Sequence, residues 1–257
     1  MPALYSLGQH GALVAAKSRL QPGELSVAFL DDVYLVTRPA RARAAFEVVQ
    51  EALREHAGVD TDLGKCRVWN RQGGSAPPGI NELGPDVWRG DKPEAERGLK
   101  VLGAPLGSPE YVSALGQQRV QEEQELTDLL PQLPDLQSAW LLLLMCAAPR
   151  ANHLLRNVPP QLAQSYAEGH DGLQLQTLAA LVRREGFGGQ HNQRTRHLAQ
   201  LPLRLGGLGL RSASRTSEAA YWAAWADALP VLRNRAPQVA ARILADLQRP
   251  AGTETAP

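Results

Sequence analysis

The sequence predicts an α+β fold in which a mixed part with strands and helices, residues 1–107, precedes an all-helical part, residues 108–249. An apolar, β-rich run at residues 26–37 predicts two short strands, because strand-forming residues flank a polar break. From about residue 110 onward, apolar residues recur at helical spacing and prolines separate the segments. With 257 residues, 44% of them hydrophobic, the chain can form one large domain or two small ones.

The first part begins with an amphipathic helix at residues 2–20, whose leucines lie on or near one stripe. After the two strands, residues 40–57 carry a strong helical pattern that ends at Gly58, a residue favoured at helix C-termini. Three more segments complete this part: a strand at 65–69, a Gly- and Pro-rich loop at 71–86, and a short strand and turn at 101–107.

The second part is predicted to be a series of helices that prolines delimit. The predicted helices are residues 109–130, 134–147, 160–184, 191–200, 212–228 and 231–248. The tail, residues 250–257, is small and polar, and we expect it to be disordered.

The composition argues against several classes of protein. Cys66 and Cys146 lie far apart and without zinc-site spacing, which favours a reduced, intracellular setting. The longest apolar run, residues 139–148, has about half the length that a bilayer-spanning helix needs. We therefore expect neither a secreted protein nor a membrane protein.

Adjacent aspartates, Asp31 and Asp32, interrupt the predicted strand pair. Two neighbouring carboxylates repel each other, and a divalent cation that binds both removes that repulsion. A solvated hairpin turn is the alternative, because aspartate is common in turns. Most such turns also contain Gly or Asn, and this one contains neither.

The charge is distributed unevenly along the chain. Residues 1–149 carry 14 basic and 19 acidic residues, whereas residues 150–215 carry 9 arginines and 3 acidic residues. A basic stretch of this kind suits the binding of a phosphate backbone, although a solvated basic helix face would have the same composition. The candidate nucleic-acid-binding residues are Arg150, Arg156, Arg183, Arg184, Arg194, Arg196 and Arg204.

Four segments, in this order, resemble the reverse transcriptases of non-LTR (LINE-like) retrotransposons. Phe29-Leu-Asp-Asp32 resembles their Tyr/Phe-x-Asp-Asp box, and residues 58–68 resemble the segment that delivers a lysine, here Lys65, beside the incoming nucleotide. Residues 99–107 resemble the hairpin that grips the primer strand, with Leu102, Gly103 and Gly107 at the matching positions. Residues 201–212 resemble a Leu-Pro-x-x-x-Gly-Gly-Leu-Gly-Leu stretch downstream of the thumb.

This resemblance implies a partial polymerase palm at residues 1–107, followed by a helical thumb and extension. It implies that Asp31 and Asp32 bind Mg²⁺ or Mn²⁺, with Asp31 as the main catalytic residue, and that Lys65 acts as a general acid. The implied partners are an RNA template paired with a DNA primer, and deoxynucleoside triphosphates if the site were complete.

The main departure from the family pattern is a missing carboxylate. Two-metal phosphoryl transfer needs carboxylates on two separate strands, and the family carries the other aspartate upstream of the segments matched here. We therefore expect that this chain alone does not polymerise. Two other interpretations stay open: a non-catalytic nucleic-acid-binding remnant, and a helical protein-interaction module in which the hairpin is only structural.

Overall fold

The computed structural model describes residues 2–182 and 193–248, and their contacts group them into two compact units. The first unit contains the residues up to Lys100 together with Leu106–Tyr111. The second unit contains Val101–Pro105 and the residues from Val112 onward. Among the helices of these residues, none is long and apolar enough to cross a membrane.

The first unit contains the helices and the hairpin that the sequence predicts at its start. The elements are α1 (Pro2–Arg19), β1 (Leu25–Phe29), β2 (Asp32–Val36) and α2 (Ala42–Ala57). A single 3₁₀ turn, Pro39–Arg41, leads into α2, and Gly58 caps its C-terminus in the left-handed conformation. The predictions for 2–20, 26–37 and 40–57 are confirmed.

Small side chains let α1 and α2 approach closely. Ala12 and Ala16 of α1 are fully buried against Ala52, Val49 and Leu53 of α2. Removing these apolar surfaces from water is the main favourable contribution to the packing of the two helices.

One face of the hairpin covers this helix pair. Strands β1 and β2 are antiparallel, and Ala28 lies opposite Val33 while Ser26 lies opposite Leu35. Val33 and Leu35 pack against the α1–α2 core. Because successive side chains alternate between the faces, Leu25, Val27, Phe29 and Val36 belong to the other face, and each is about half exposed or more.

Residues 58–97 fold as a loop around a small apolar core. Its 3₁₀ turns are Leu63–Lys65, Asn81–Leu83 and Glu94–Glu96, and its buried residues are Ile80, Leu83, Val87 and Trp88. The predicted strand at 65–69 is wrong. The Asp62 side chain accepts a hydrogen bond from the Gly64 amide and starts a turn there, and Val68 forms only an isolated parallel bridge with Trp88.

A second antiparallel hairpin follows, formed by β3 (Gly98–Val101) and β4 (Ala104–Gly107). The strand and turn predicted for 101–107 therefore correspond to the second half of this hairpin. The strand ends belong to the first unit, and the tip, Val101–Pro105, belongs to the second unit.

The second unit is helical apart from that tip. Its helices are α3 (Pro109–Thr127), α4 (Leu136–Leu142), α5 (Ala151–Asn157), α6 (Pro160–Leu181), α7 (Gln193–Gln200), α8 (Ala213–Arg235) and α9 (Pro237–Leu247). Helix α3 begins in the first unit and continues into the second one. A π-helical turn, Leu143–Ala147, and a 3₁₀ turn, Ala148–Arg150, join α4 to α5.

Two apolar clusters hold the helices of the second unit together. In the first cluster, Leu154 and Leu155 of α5 pack against Ala163, Tyr166 and other residues of α6 and against the start of α8. The second cluster joins the π-helical turn, α6, α7 and the segment before α8 through Leu143, Leu175, Leu178, Ala199 and Leu210. Helix α6 contributes to both clusters and is the central helix of this unit.

Two predictions for this part need correction, and others cannot be compared with the structure. Helix α5 was not predicted, because prolines at 149 and 159 leave a segment too short to show a period. The predicted break between 228 and 231 is wrong, since α8 continues through Pro230 to Arg235. The tail at 250–257 and the ends of the helices predicted at 160–184 and 191–200 lie partly or wholly outside the described residues.

A pH dependence of the first unit follows from Glu24, whose side chain is 5% exposed. The Gln21 amide, the Thr37 hydroxyl and the Arg41 guanidinium all donate to its carboxylate, at 2.8, 2.8 and 3.2 Å. The hydrogen bond from the Gln21 amide is the largest effect, and although desolvation opposes it, the pKa of Glu24 is lowered. The folded state therefore binds the proton less tightly than the unfolded state does.

Glu24→Gln should accordingly lower the free energy of unfolding of the first unit by about 1–2 kcal/mol at pH 7. The contribution of Glu24 is fully present above the unfolded glutamate pKa of about 4.3 and is lost as pH falls through the lower folded value. The difference between the two proteins should thus shrink below about pH 4. Urea titrations followed by tryptophan fluorescence at pH 7 and pH 3 measure it, and an equal difference at both would contradict the prediction.

Candidate metal and nucleic-acid sites

The acidic pair lies at the tip of the first hairpin. Phe29 is opposite Asp32 in the register, so Leu30 and Asp31 form the turn between the strands. Leu30 has a φ of 55°, an uncommon conformation for a residue with a side chain, and one that is found preferentially at functional sites. The strained turn leaves the side chains of Asp31 and Asp32 exposed to solvent.

Only one of the two carboxylates is held by a neighbour. The Tyr34 hydroxyl donates a 3.1 Å hydrogen bond to Asp32 Oδ2. Asp31 makes no hydrogen bond or ion pair with any residue in 2–182 or 193–248, so its oxygens are available to an external ligand.

The two carboxylates do not make a complete metal site. In the part of the chain that the structure describes, no group of three or more His, Cys, Asp or Glu side chains could hold a metal ion. Mg²⁺ prefers six oxygen ligands, and protein sites combine carboxylates with substrate phosphates and water. Asp31 and Asp32 could supply part of such a set, and the Mg²⁺ or Mn²⁺ that the resemblance implies would need further ligands.

Lys65 lies at the end of a 3₁₀ turn with its side chain 87% exposed. Its ammonium group is 3.8 Å from Asp62 Oδ2 and forms no ion pair with Asp31 or Asp32. The general-acid role of Lys65 therefore stays a prediction that the geometry of the first unit does not by itself support.

The predicted primer-grip residues have two different structural roles. Leu102 and Gly103 form the tip of the second hairpin with φ angles of 49° and 84°, the left-handed conformations of a tight two-residue turn. At Gly107, a Cβ atom would lie 2.6 Å from the Tyr111 ring and 2.8 Å from the Arg97 carbonyl oxygen. Close packing within the protein accounts for Gly107, whereas the exposed Leu102 side chain stays a candidate contact.

A pocket of about 170 Å³ lies beside Gly103 in the second unit. Its lining includes Arg119, Glu122, Arg150 and His153. Arg119 pairs with Glu122 at 3.3 Å. Arg150 is exposed and forms no ion pair within the described residues, so its guanidinium can bind an anion. The sequence predicted Gly103 and Arg150 as site residues, but it did not single out Arg119 or His153.

Two residues that line this pocket, Glu123 and Tyr166, belong to a buried polar cluster. Glu123 accepts a 2.7 Å hydrogen bond from the Tyr166 hydroxyl and lies 2.5 Å from His170 Nδ1. The other ring nitrogen of His170 is 3.2 Å from the Ala148 carbonyl oxygen. Burial first, and then the negative charge of Glu123, raise the pKa of Tyr166 well above its ordinary value.

The predicted arginines are not equivalent in the structure. Arg156 pairs with Asp227 at 2.7 Å, so a phosphate would have to compete with that carboxylate. Arg194 and Arg196 on α7, and Arg204 in the turn that follows, are exposed and have no ion pair among the described residues. Arg183 and Arg184 lie outside the described residues.

The Gly-Gly-Leu-Gly-Leu stretch folds back over α7. The amides of Leu208, Gly209 and Leu210 donate to the carbonyls of Leu198, Leu201 and Ala199, respectively, at 2.8–3.2 Å. A Cβ atom at Gly207 would lie 2.1 Å from the Leu201 carbonyl oxygen, so a glycine is required there. This stretch therefore has a structural role in closing the apolar core around Leu210.

A buried carboxylate then starts α8. Asp171 of α6 accepts hydrogen bonds from the Ser212 hydroxyl and from the Ala213 and Ser214 amides, at 2.7, 2.6 and 3.2 Å. A carboxylate at this position also interacts favourably with the positive end of the helix dipole. Sequence reasoning missed Asp171 because its partners lie more than 40 residues away.

Comparison with known proteins gives one informative similarity. The chain is 26% identical over 228 residues, 86% of its length, to the "Retrotransposable element SLACS 132 kDa protein" of Trypanosoma brucei gambiense. It spans 17% of the length of that curated relative. No family model and no solved structure matches the chain, so its assignment to a palm and a thumb stays a prediction. The similarity to the retrotransposable element protein supports a retroelement-related origin for this chain.

Proposed function

We propose that this chain is part of an RNA-directed DNA polymerase, the reverse transcriptase of a retrotransposon. The observation that carries the proposal is the exposed Asp31-Asp32 pair on a strained turn between two antiparallel strands, in a chain similar to a retrotransposable element protein. In this proposal the pair contributes ligands to a metal site that other segments of the polymerase complete.

The exposed face of the first hairpin supports a role inside a larger protein. Leu25, Val27, Phe29 and Val36 are 48–61% exposed and lie together on that face. A two-stranded sheet that exposes apolar side chains and free edges is stabilised when another segment packs against it. The 17% share of the relative that the chain spans is in keeping with such a segment lying elsewhere in a polymerase.

The second unit would hold the nucleic acid. Arg150, Arg194, Arg196 and Arg204 present exposed guanidinium groups that no described carboxylate neutralises. Guanidinium groups bind phosphate oxygens without regard to base sequence, as a polymerase thumb requires.

We expect the purified chain to bind an RNA–DNA hybrid in a strongly salt-dependent way and to give no primer extension. Replacing Arg194 and Arg196 by glutamine should reduce the slope of log K against log salt by about 1.5, because two phosphate contacts are lost. A matched control, Arg233→Gln with Arg235→Gln, removes the same charge from exposed positions of α8 and should change the slope little. Fluorescence anisotropy with a labelled hybrid measures these slopes.

Asp31→Asn separates the polymerase interpretation from a binding remnant. With hybrid and a deoxynucleoside triphosphate present, Mg²⁺ should strengthen binding to the original chain, and Asp31→Asn should remove that increase. Hybrid binding without Mg²⁺ should not change. A binding remnant would show no Mg²⁺-dependent increase, and a helical interaction module would not bind the hybrid even at low salt. Template-dependent extension by the original chain would contradict the expectation of an incomplete site.

A further inference from the structure

Three cationic side chains in the loop of the first unit surround one carboxylate. Asp86 Oδ1 is 3.0 Å from Arg89 Nη1 and 3.5 Å from Lys92 Nζ, and its Oδ2 is 3.4 Å from Arg67 Nη2. The group carries three positive charges and one negative charge, although residues 1–149 are acidic as a whole. We call these four residues the Asp86 cluster.

Two of the three cations of the Asp86 cluster, Arg67 and Arg89, also donate to backbone carbonyls. Arg67 Nη1 donates to the carbonyl oxygens of Gly64 and Cys66, both at 2.7 Å. Arg89 Nη2 donates to the Glu96 carbonyl oxygen at 3.3 Å. Holding long side chains in one geometry before a ligand arrives reduces the entropy lost on binding.

The loop that carries the Asp86 cluster is itself anchored. Val87 and Trp88, next to Asp86 and Arg89, are 1% and 3% exposed in the loop core. The Trp88 indole donates to the Gly74 carbonyl oxygen at 2.8 Å. The positions of the three cations are thus set by buried neighbours, whereas their charged ends stay partly exposed.

The Asp86 carboxylate cannot accept hydrogen bonds from all the N–H donors of the three cations. An arginine has five N–H donors and a lysine has three, and Asp86 accepts few of them. Desolvation raises the pKa of Asp86, but attraction by Arg89, Lys92 and Arg67 outweighs it and lowers that pKa. Of the other nearby acids, Glu94 already pairs with Arg97 and Asp62 with Lys65, while Asp91 is exposed. Among the described residues, Asp86 is thus the one carboxylate that forms ion pairs with these three cations.

We infer that Arg67, Arg89 and Lys92 form a phosphate-binding site in the first unit. It involves none of the arginines of the second unit and goes beyond the proposed function. Its ligand is a phosphate group, either of a single-stranded nucleic acid or of the triphosphate of a nucleotide. Such a ligand would accept the donors that Asp86 leaves unused, and Asp86 keeps the cations together when no ligand is bound.

The test measures anisotropy of a labelled single-stranded RNA with a 5′-hydroxyl end, without divalent cations. Arg67→Gln with Lys92→Gln should weaken binding about tenfold and lower the salt slope by about 1.4, since two cations are lost. The control, Lys17→Gln with Arg54→Gln, removes two exposed cations of the same unit and should change affinity less than about twofold. Should the double variant fail to fold, Lys92→Gln alone should weaken binding about threefold to fivefold.

The Asp86→Asn variant provides an independent test of the phosphate-binding site. It removes the internal negative charge, so a phosphate-binding site should bind RNA at least as tightly as before, and about twofold to fivefold more tightly at low salt. A purely structural ion-pair network would instead lose stability with no gain in binding. Circular dichroism melting of each variant separates these two outcomes.

Two further comparisons identify the phosphate source and keep this site distinct from the proposed function. If inorganic triphosphate displaces the labelled RNA at concentrations below those of RNA phosphate, the ligand is the triphosphate of a nucleotide. If only unlabelled RNA displaces it, the ligand is a nucleic-acid strand. In one outcome, Arg194→Gln with Arg196→Gln weakens binding, but the affinity of Arg67→Gln with Lys92→Gln stays within twofold of the control. That outcome would overturn the phosphate-binding site and leave the proposed function intact. The reverse pattern would support the site and contradict the proposed function.

Discussion

Replacing Asp171 by alanine should lower the free energy of unfolding of the second unit by about 3 kcal/mol. The carboxylate is 4% exposed and accepts three hydrogen bonds at the start of α8. Its loss would leave buried donors of Ser212 and Ala213 without a partner, each of which costs about 1–3 kcal/mol. It would also remove the negative charge that faces the N-terminus of a 23-residue helix.

A graded series tests whether the hydrogen bonds are responsible. Asp171→Asn keeps one acceptor oxygen and should retain about half of the stability that alanine loses. Glu168→Ala, on an exposed position of the same helix, should change the free energy of unfolding by no more than about 0.5 kcal/mol. Urea unfolding followed by tryptophan fluorescence measures the stability of all three variants. A loss for Asp171→Ala that is within 1 kcal/mol of the Glu168→Ala value would refute this account.

Local sequence patterns predicted much of the fold because the determinants are themselves local. The alternation between Val27, Phe29 and their neighbours predicts the first hairpin, and the helical period after residue 40 predicts α2. The same reasoning failed where a neighbour changed the outcome. Cys66 to Trp69 has strand-forming residues, but the Asp62 side chain caps a 3₁₀ turn immediately before them.

Candidate site residues could be predicted one by one, but their partners could not. Asp31 and Asp32 stand out because two adjacent acids break an apolar run. Arg150 was singled out for its charge, yet Arg119 joins it in one pocket only because α3 packs beside the segment before α5. The Asp86 cluster joins residues up to 25 positions apart that no period relates.

Glu123→Ala should lower the free energy of unfolding of the second unit by about 2–5 kcal/mol, because two buried polar groups lose their partner and each costs about 1–3 kcal/mol. Both ring nitrogens of the buried His170 face acceptors, the Glu123 carboxylate and the Ala148 carbonyl. Removing Glu123 therefore leaves Nδ1 of this buried ring without a partner. The Tyr166 hydroxyl loses its acceptor as well.

Three further variants separate the hydrogen bonds from the packing. Glu123→Gln should lose less than alanine, about 1–2 kcal/mol, because the amide can still form hydrogen bonds with the His170 ring and the Tyr166 hydroxyl. Glu125→Ala, on an exposed position of the same helix, should stay within about 0.5 kcal/mol of the original chain. Glu123→Met with His170→Leu replaces both polar groups by apolar ones and should recover most of the stability, since removing both partners of a buried hydrogen bond leaves neither unsatisfied. If the double variant were as unstable as Glu123→Ala, packing at these two positions would account for the loss, and the unpaired polar groups would not.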